Sequence, residues 1–231
     1  MKVFSTLAIQ GAVEALLPHF EQATGLNPAI EWNTAPVLVK RLQAGETADV
    51  LILNRAGMDT MQREGRILAG TEATLASSPT ALAIKAGAAR PDISSEEALK
   101  RTLRAARALS YSDPAAGGAS GIYFGKLLER WGMVEEINAK TKFPPPAGYC
   151  AEFLVTGEVD LALQQAPELL HVPGVEILGP LPGDLHMVTV FVAGIDAAST
   201  NGPGGKMFID FLRSAVARTA FRRRGLDPAT S

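Results

Sequence analysis

The sequence predicts an α/β protein in two lobes, on three observations. Short apolar segments alternate with amphipathic helical ones. The segment Ala48 to Asn54 is almost wholly apolar, as parallel strands covered on both faces are. A Gly/Ala/Pro stretch, Ala86-Gly87-Ala88-Ala89-Arg90-Pro91, interrupts the series near its middle.

Lys2 to Thr6 reads as a buried strand, and Gly11 to Thr24 as a helix with apolar residues at 12, 13, 16, 17 and 20, closed by Gly25. Ala29 to Asn33 is a second strand. Thr34 can cap the following helix, whose early Pro36 suits a first turn and which Gly45 ends. The third strand, Ala48 to Asn54, is followed by a helix from Met58 to Gly65. After the strand Ala81 to Lys85 and the Gly/Ala/Pro crossover, Ser94-Ser95-Glu96-Glu97 forms a capping box for a helix to about Ala108. Leu109 to Ser112 is a strand, and Ser120 to Trp131 a helix stopped by Gly132. A Pro-rich connector, residues 142–148, leads to the helix Tyr149 to Thr156. Strands follow at Leu161 to Gln164 and Val175 to Leu178, with a short helix carrying Glu168 and Leu169 between them. His186 to Ile195 is a long apolar strand, and one amphipathic helix, Lys206 to Arg224, closes the chain. If this tail returns to the first lobe, residues 1–84 and 187–231 form lobe one and 85–186 lobe two. Two crossings then make a hinge and a cleft that can close on a ligand.

With 231 residues, 47% of them apolar, the chain can bury a large core without staples. Its 22 Lys and Arg against 24 Asp and Glu give a net charge of −2, which argues against general nucleic-acid or anionic-membrane binding. The basic run Arg222-Arg223-Arg224 sits where cations complement a helix C-terminus. Cys150 is the only cysteine, so an internal disulfide, a cysteine-based zinc site and a CxxC motif are excluded. No run approaches the roughly 18 apolar residues of a membrane span, so no membrane insertion is expected. GxGxxG, Walker A and HExxH patterns are absent, and neither a cofactor nor a metal is predicted. No secretory leader is legible, since Val3 to Ile9 contains Ser5 and Thr6 and runs into Gln10 and Glu14. As written the chain reads as cytoplasmic, or as periplasmic if a leader was trimmed.

Ligands of parallel α/β sheets sit beyond the carboxyl ends of strands, where helix N-termini present N–H groups. The loops in that position hold Thr6 and Leu7, Asn33 and Thr34, Asn54 and Arg55, Ser112 to Gly121, and Gln164 and Gln165. They offer hydroxyls and amides but few charges. In the Ser112 to Gly121 segment, glycines permit close backbone approach and Ser120 opens a helix, an arrangement suited to a carboxylate or oxyanion. Arg55 is the one cation there, available to a ligand carboxylate or simply solvated. Trp32, Trp131, Tyr111 and Tyr123 read as core or rim.

The layout resembles the type 2 periplasmic solute-binding fold, and within it the molybdate-binding proteins of ABC transporters. The residues that carry the resemblance are Lys2-Val3-Phe4, the run Arg41 to Val50, Asp113-Pro114 with Ser120-Gly121-Ile122-Tyr123, and Gly157 to Ala162. The resemblance implies a small anionic ligand and a transporter permease as partner. In that family two serines and a tyrosine hydroxyl hold the oxyanion, with backbone groups on two loops. The matching side-chain positions here are Ala8, Ala35 and Gln165, and the backbone positions fall near Ser120 and Ala147. Three hydroxyls are missing, each worth on the order of 1 to 3 kcal/mol when matched to a buried oxyanion. The set Thr6, Asn33, Thr34, Ser112, Ser120, Gln164 and Gln165 therefore points to a pocket recut for a small carboxylate. Tyr149 can stand in for the absent tyrosine.

A second expectation is a carboxylate isomerase, since aconitate isomerase resembles the same solute-binding group. Moving a double bond needs a base beside a carboxylate and donors for the enolate-like charge. Candidate bases are Asp113, Glu168, Cys150 and His186, each with a structural alternative: a loop-capping Asp, a surface Glu, a buried thiol and a strand-end His. His19 and His171 read as structural or exposed. A third expectation is a sensor lobe that reports its ligand to a partner.

Overall fold

The computed structural model describes residues 1–145 and 147–230; Pro146, in the expected connector, lies outside them. The chain divides into two compact units, residues 1–77 with 189–231 and residues 78–188.

The first unit opens with β1 (Lys2–Thr6), a short 3-10 turn (Leu7–Ile9) and α1 (Gln10–Thr24). Gly25, at φ 70, ends α1 in the left-handed conformation that glycine adopts without strain. β2 (Ala29–Asn33), α2 (Ala35–Gln43), β3 (Val50–Asn54) and α3 (Arg55–Arg63) repeat the strand–helix unit. β1 lies parallel to β2 in the register Lys2↔Ala29 and parallel to β3 in the register Val3↔Val50. All three strands therefore end on the same side, at Thr6, Asn33 and Asn54.

β4 (Ala73–Lys85) carries the chain into the second unit, beginning well before the expected Ala81. There α4 (Glu96–Ala105) is capped by Ser95, whose Oγ accepts from Ala98 N–H at 3.2 Å. β5 (Leu109–Tyr111) and α5 (Ala119–Trp131) follow as expected, and α6 (Val134–Asn138) is a short helix the sequence pattern did not suggest. α7 (Ala151–Val155), β6 (Leu161–Gln165), α8 (Ala166–Leu169) and β7 (Val175–Pro180) complete the unit. Its sheet runs β7-β4-β6-β5, with β5 parallel to β6 and β4 antiparallel to both β6 and β7. Leu82, Leu99, Leu103, Tyr111, Phe124 and Leu163 pack one face, and Ala83, Cys150, Leu154 and Leu169 the other.

β8 (Val188–Ile195) returns to the first unit, antiparallel to β3 with Val50↔Ile195. The expected single closing helix is two: α9 (Gly202–Leu212) and α10 (Ala215–Arg223). Ser214 breaks them by capping α10, accepting from Ala217 N–H at 3.3 Å. Both pack their apolar sides on α1, where Phe20 meets Phe208 edge-on at 5.0 Å. β9 (Asp227–Pro228) then pairs with the start of β4.

Candidate functional site

In the first unit the strand ends are largely satisfied from within. Thr34 N–H donates to Asn33 Oδ1 at 2.9 Å at the start of α2. Asn54 caps α3, accepting from Gly57 N–H at 2.9 Å. Arg55 is engaged by Asp59 at 2.8 Å and by Glu72 at 3.1 Å, so its charge is already balanced. Leu7 is buried in the 3-10 turn. Thr6 differs: its Oγ1 is buried and has no hydrogen-bond partner among the described residues. A buried hydroxyl without a partner can donate to a ligand oxygen. Ala8 and Ala35 are buried and bring no hydroxyl.

In the second unit the strand ends hold a polar cluster. Gln164, buried at the end of β6, accepts from Cys150 N–H at 2.9 Å and donates to Gly148 O at 3.3 Å. It thereby fixes the loop before α7 against the sheet. Ala147 in that loop is the one non-glycine residue with positive φ among those described, at 62°. Such a conformation stores about 1 kcal/mol or more and gathers at functional loops. The loop continues through Tyr149, which stacks on His171 at 4.5 Å between ring centroids. Tyr149 lies ahead of α7 rather than inside it.

On the neighbouring strand, Ser112 follows β5 and α5 starts against it. A Cβ placed on Gly121 would lie 2.1 Å from the Ser112 carbonyl oxygen, so only glycine fits. The close approach foreseen for a ligand is thus made first by the protein's own backbone. Gly118 is the N-cap of α5, and Ser120 sits buried in the first turn instead of capping it. This leaves the first N–H groups of α5 without helical acceptors, an arrangement that favours a negative ligand oxygen.

The candidate bases separate clearly. Asp113 caps the turn Pro114–Ala116, accepting from Ala115 N–H at 2.8 Å, the loop-capping role. His186 is exposed beyond a 3-10 turn. Burial pushes the Cys150 thiol up to about 12, against the hydroxyls of Ser110 and Ser112 beside it, so it stays protonated near neutrality. Glu168 accepts from Gln165 N–H at 3.2 Å in a capping box at α8, which places its carboxyl at the carboxyl end of β6. Burial raises that carboxyl to about 7, with the Gln165 hydrogen bond opposing the shift. Solvent still reaches part of the residue. The expected alternative, a surface Glu on a short helix, gives way to a carboxyl held in the α8 capping box. The Gln165-Ala-Pro-Glu168 pattern, a capping box with proline in the first turn, was the available signal.

The geometry can bind an anion through neutral donors and move a proton at one carboxyl. Among the described residues, no group of three or more His, Cys, Asp or Glu could hold a metal ion, and no helix is long and apolar enough to cross a membrane.

The fold is that of the type 2, molybdate-binding-like solute-binding proteins. The chain belongs to the bacterial extracellular solute-binding protein family, whose model matches residues 1–227. It is 30% identical to an aconitate isomerase from Pseudomonas sp. over 236 aligned positions, covering 99% of this chain and 87% of that protein. Among solved structures it is similar to the Azotobacter vinelandii periplasmic molybdate-binding protein, at TM-score 0.76 and 15% identity over 100% of both chains. The sulfate-binding protein SubI of Mycobacterium tuberculosis gives TM-score 0.73 and 14% identity over 99% of this chain and 86% of that one. A periplasmic thiamin binding protein gives TM-score 0.75 and 16% identity, over 100% of this chain and 83% of its own. At these identities the structural likenesses speak to the fold.

Proposed function

We propose that the protein binds a small unsaturated polycarboxylate of the aconitate class and isomerises it. The observation that carries this reading is the absence of the oxyanion-holding hydroxyls, at Ala8, Ala35 and Gln165, from a chain that otherwise has an oxyanion receptor's fold. The kinship with an aconitate isomerase along nearly the whole chain points to the same ligand class. Within the second unit the ligand draws on the start of α5, the Tyr149 loop and the Gln164–Gln165 strand end. Planar carboxylates suit such donors because each oxygen can take a backbone or hydroxyl hydrogen bond without a counter-cation.

Thermal unfolding against cis- and trans-aconitate, citrate, malate, sulfate and molybdate tests the binding half. A ligand at about 100 times its dissociation constant adds roughly 2.7 kcal/mol, a shift of several degrees. The reading expects that shift with the aconitates and none with molybdate; the reverse pattern returns the protein to oxyanion transport. A second reading, favoured by the solute-binding family match, is delivery of the same carboxylate to an ABC transporter permease. Binding without turnover selects it.

A further inference from the structure

Glu168 is the candidate acid or base near the strand ends that is neither exposed, as His186 is, nor held protonated far above neutrality, as the Cys150 thiol is; like Asp113 it accepts a backbone N–H, but burial raises its carboxyl. Its backbone neighbour fixes it: the Gln165 N–H bond holds the carboxyl at the carboxyl end of β6, within electrostatic reach of Cys150, whose N–H donates to Gln164. The helix that carries it, α8, packs on β6 and β7. Strand β6 has no titratable side chain, and Glu176 on β7 is paired with Arg90. His171, just after α8, is stacked on Tyr149, and the Cys150 thiol at the head of α7 is neutral. No charged neighbour therefore drives the carboxyl; burial does.

Resting on the isomerase reading, we infer that Glu168 is the general base that shuttles the substrate proton. Its carboxylate takes a proton from the methylene carbon next to the double bond. The C–H electron pair moves into the carbon frame, where the adjacent carboxylate shares the charge, and the double bond migrates by one carbon. Glu168, now protonated, returns the proton to the far carbon of the original double bond. One C–H bond breaks, one forms, and no oxidant, reductant or co-reactant is consumed. An acid-base group that titrates near the working pH serves both halves of such a shuttle, and burial brings Glu168 to about 7. The start of α5, pinned on Ser112 by Gly121, supplies N–H groups for the negative charge that develops on the substrate carboxylate.

The test is proton NMR of cis-aconitate with the full chain in D2O, comparing wild type, Glu168→Gln and Glu168→Asp. Glutamine keeps an oxygen that can accept from Gln165 N–H, so the capping box survives while the base is removed. The wild type is expected to form the isomer and, because solvent reaches Glu168 and exchanges its carboxyl proton between the two transfers, to place deuterium on carbon. Glu168→Gln slows both by about 100- to 10,000-fold while leaving the aconitate-induced melting shift in place, and Glu168→Asp recovers part of the rate. The wild-type kcat/KM rises with pH through a group near 7, and this dependence disappears in the residual rate of Glu168→Gln. A Glu168→Gln rate within tenfold of wild type overturns the assignment of Glu168 while leaving the isomerase reading intact. Binding without conversion or deuterium incorporation overturns catalysis and leaves the carboxylate receptor. A wild type that neither binds nor converts aconitate overturns the reading itself.

Discussion

The strand ends of the two units look alike in sequence and differ in chemistry. Those of the first unit spend their polar groups on the fold: Asn54 caps α3, Asn33 takes the Thr34 N–H, and Asp59 and Glu72 balance Arg55. Only the Thr6 hydroxyl among them is buried with no partner among the described residues. Those of the second unit gather a buried amide at Gln164, a strained Ala147, a Tyr149–His171 stack and a desolvated carboxyl at Glu168. Both kinds of end offer neutral donors, but among the described residues only the second has a carboxyl that burial raises to about 7. A receptor needs the first kind; chemistry needs the second.

The largest expected difference is steric. Gly121→Ala drives a methyl into the Ser112 carbonyl, 2.1 Å away, and is expected to destabilise the protein by about 3 kcal/mol in urea unfolding. The matching change in the first unit, Gly57→Ala, meets Asn54 Oδ1 at 3.1 Å and gains helix propensity, so its net effect stays under about 1 kcal/mol. Equal effects would remove the contrast in how tightly the two helix starts are seated.

Next comes the pH dependence of stability. The Glu168 carboxyl is raised from 4.5 to about 7, so the folded state favours its protonated form. Its contribution is fully present below about 4.5 and is lost as pH rises toward 7, a change on the order of 2 to 3 kcal/mol. Glu168→Gln removes that decline, leaving the ligand-free protein more stable than wild type at pH 8, the mark of a group kept for function at the expense of stability. Parallel wild-type and variant stabilities from pH 4 to 8 would make Glu168 an ordinary cap.

A smaller effect, about 2 kcal/mol, is expected of Gln164→Leu, which strands the Cys150 N–H and frees the Gly148 carbonyl. Calorimetric titration with aconitate should show weakened binding in the same variant, because the Tyr149 loop loses its tie to β6. The smallest belongs to Arg55→Ala: an exposed pair is worth about 0 to 1 kcal/mol, and ligand affinity should not change. A tenfold loss of affinity there would show that Arg55 leaves its acids for the ligand and that the first unit is charged after all.

Much of the fold was legible because its signals are local. The apolar run Val50 to Leu53, Gly25 after α1 and Gly132 after α5 each mark an element by chain chemistry alone. The tail misled because α9 and α10 carry their apolar residues in one continuous helical pattern, and a single hydroxyl at Ser214, unremarkable in sequence, ends one and starts the other. The early start of β4 was hidden by Ser77, Ser78 and Pro79, residues that read as a turn yet lie in a strand paired with β9 and then with β6 and β7. At the site, residue types were readable and environments were not. Asp113 before a proline announces its turn, and Gln165-Ala-Pro-Glu168 announces a capping box, but that pattern does not say how deeply the carboxyl is buried. Burial comes from α8 packing on β6 and β7, and no local pattern encodes it. The Tyr149–His171 stack escaped for the same reason, since 22 positions of chain separate the rings.

The most direct measurement is to incubate the purified protein with cis-aconitate and, separately, with trans-aconitate, following both isomers by NMR to completion. The account predicts that the two mixtures converge on one isomer ratio and that the protein is not consumed. Two mixtures that stay as they began, with molybdate alone raising the melting temperature, would contradict it.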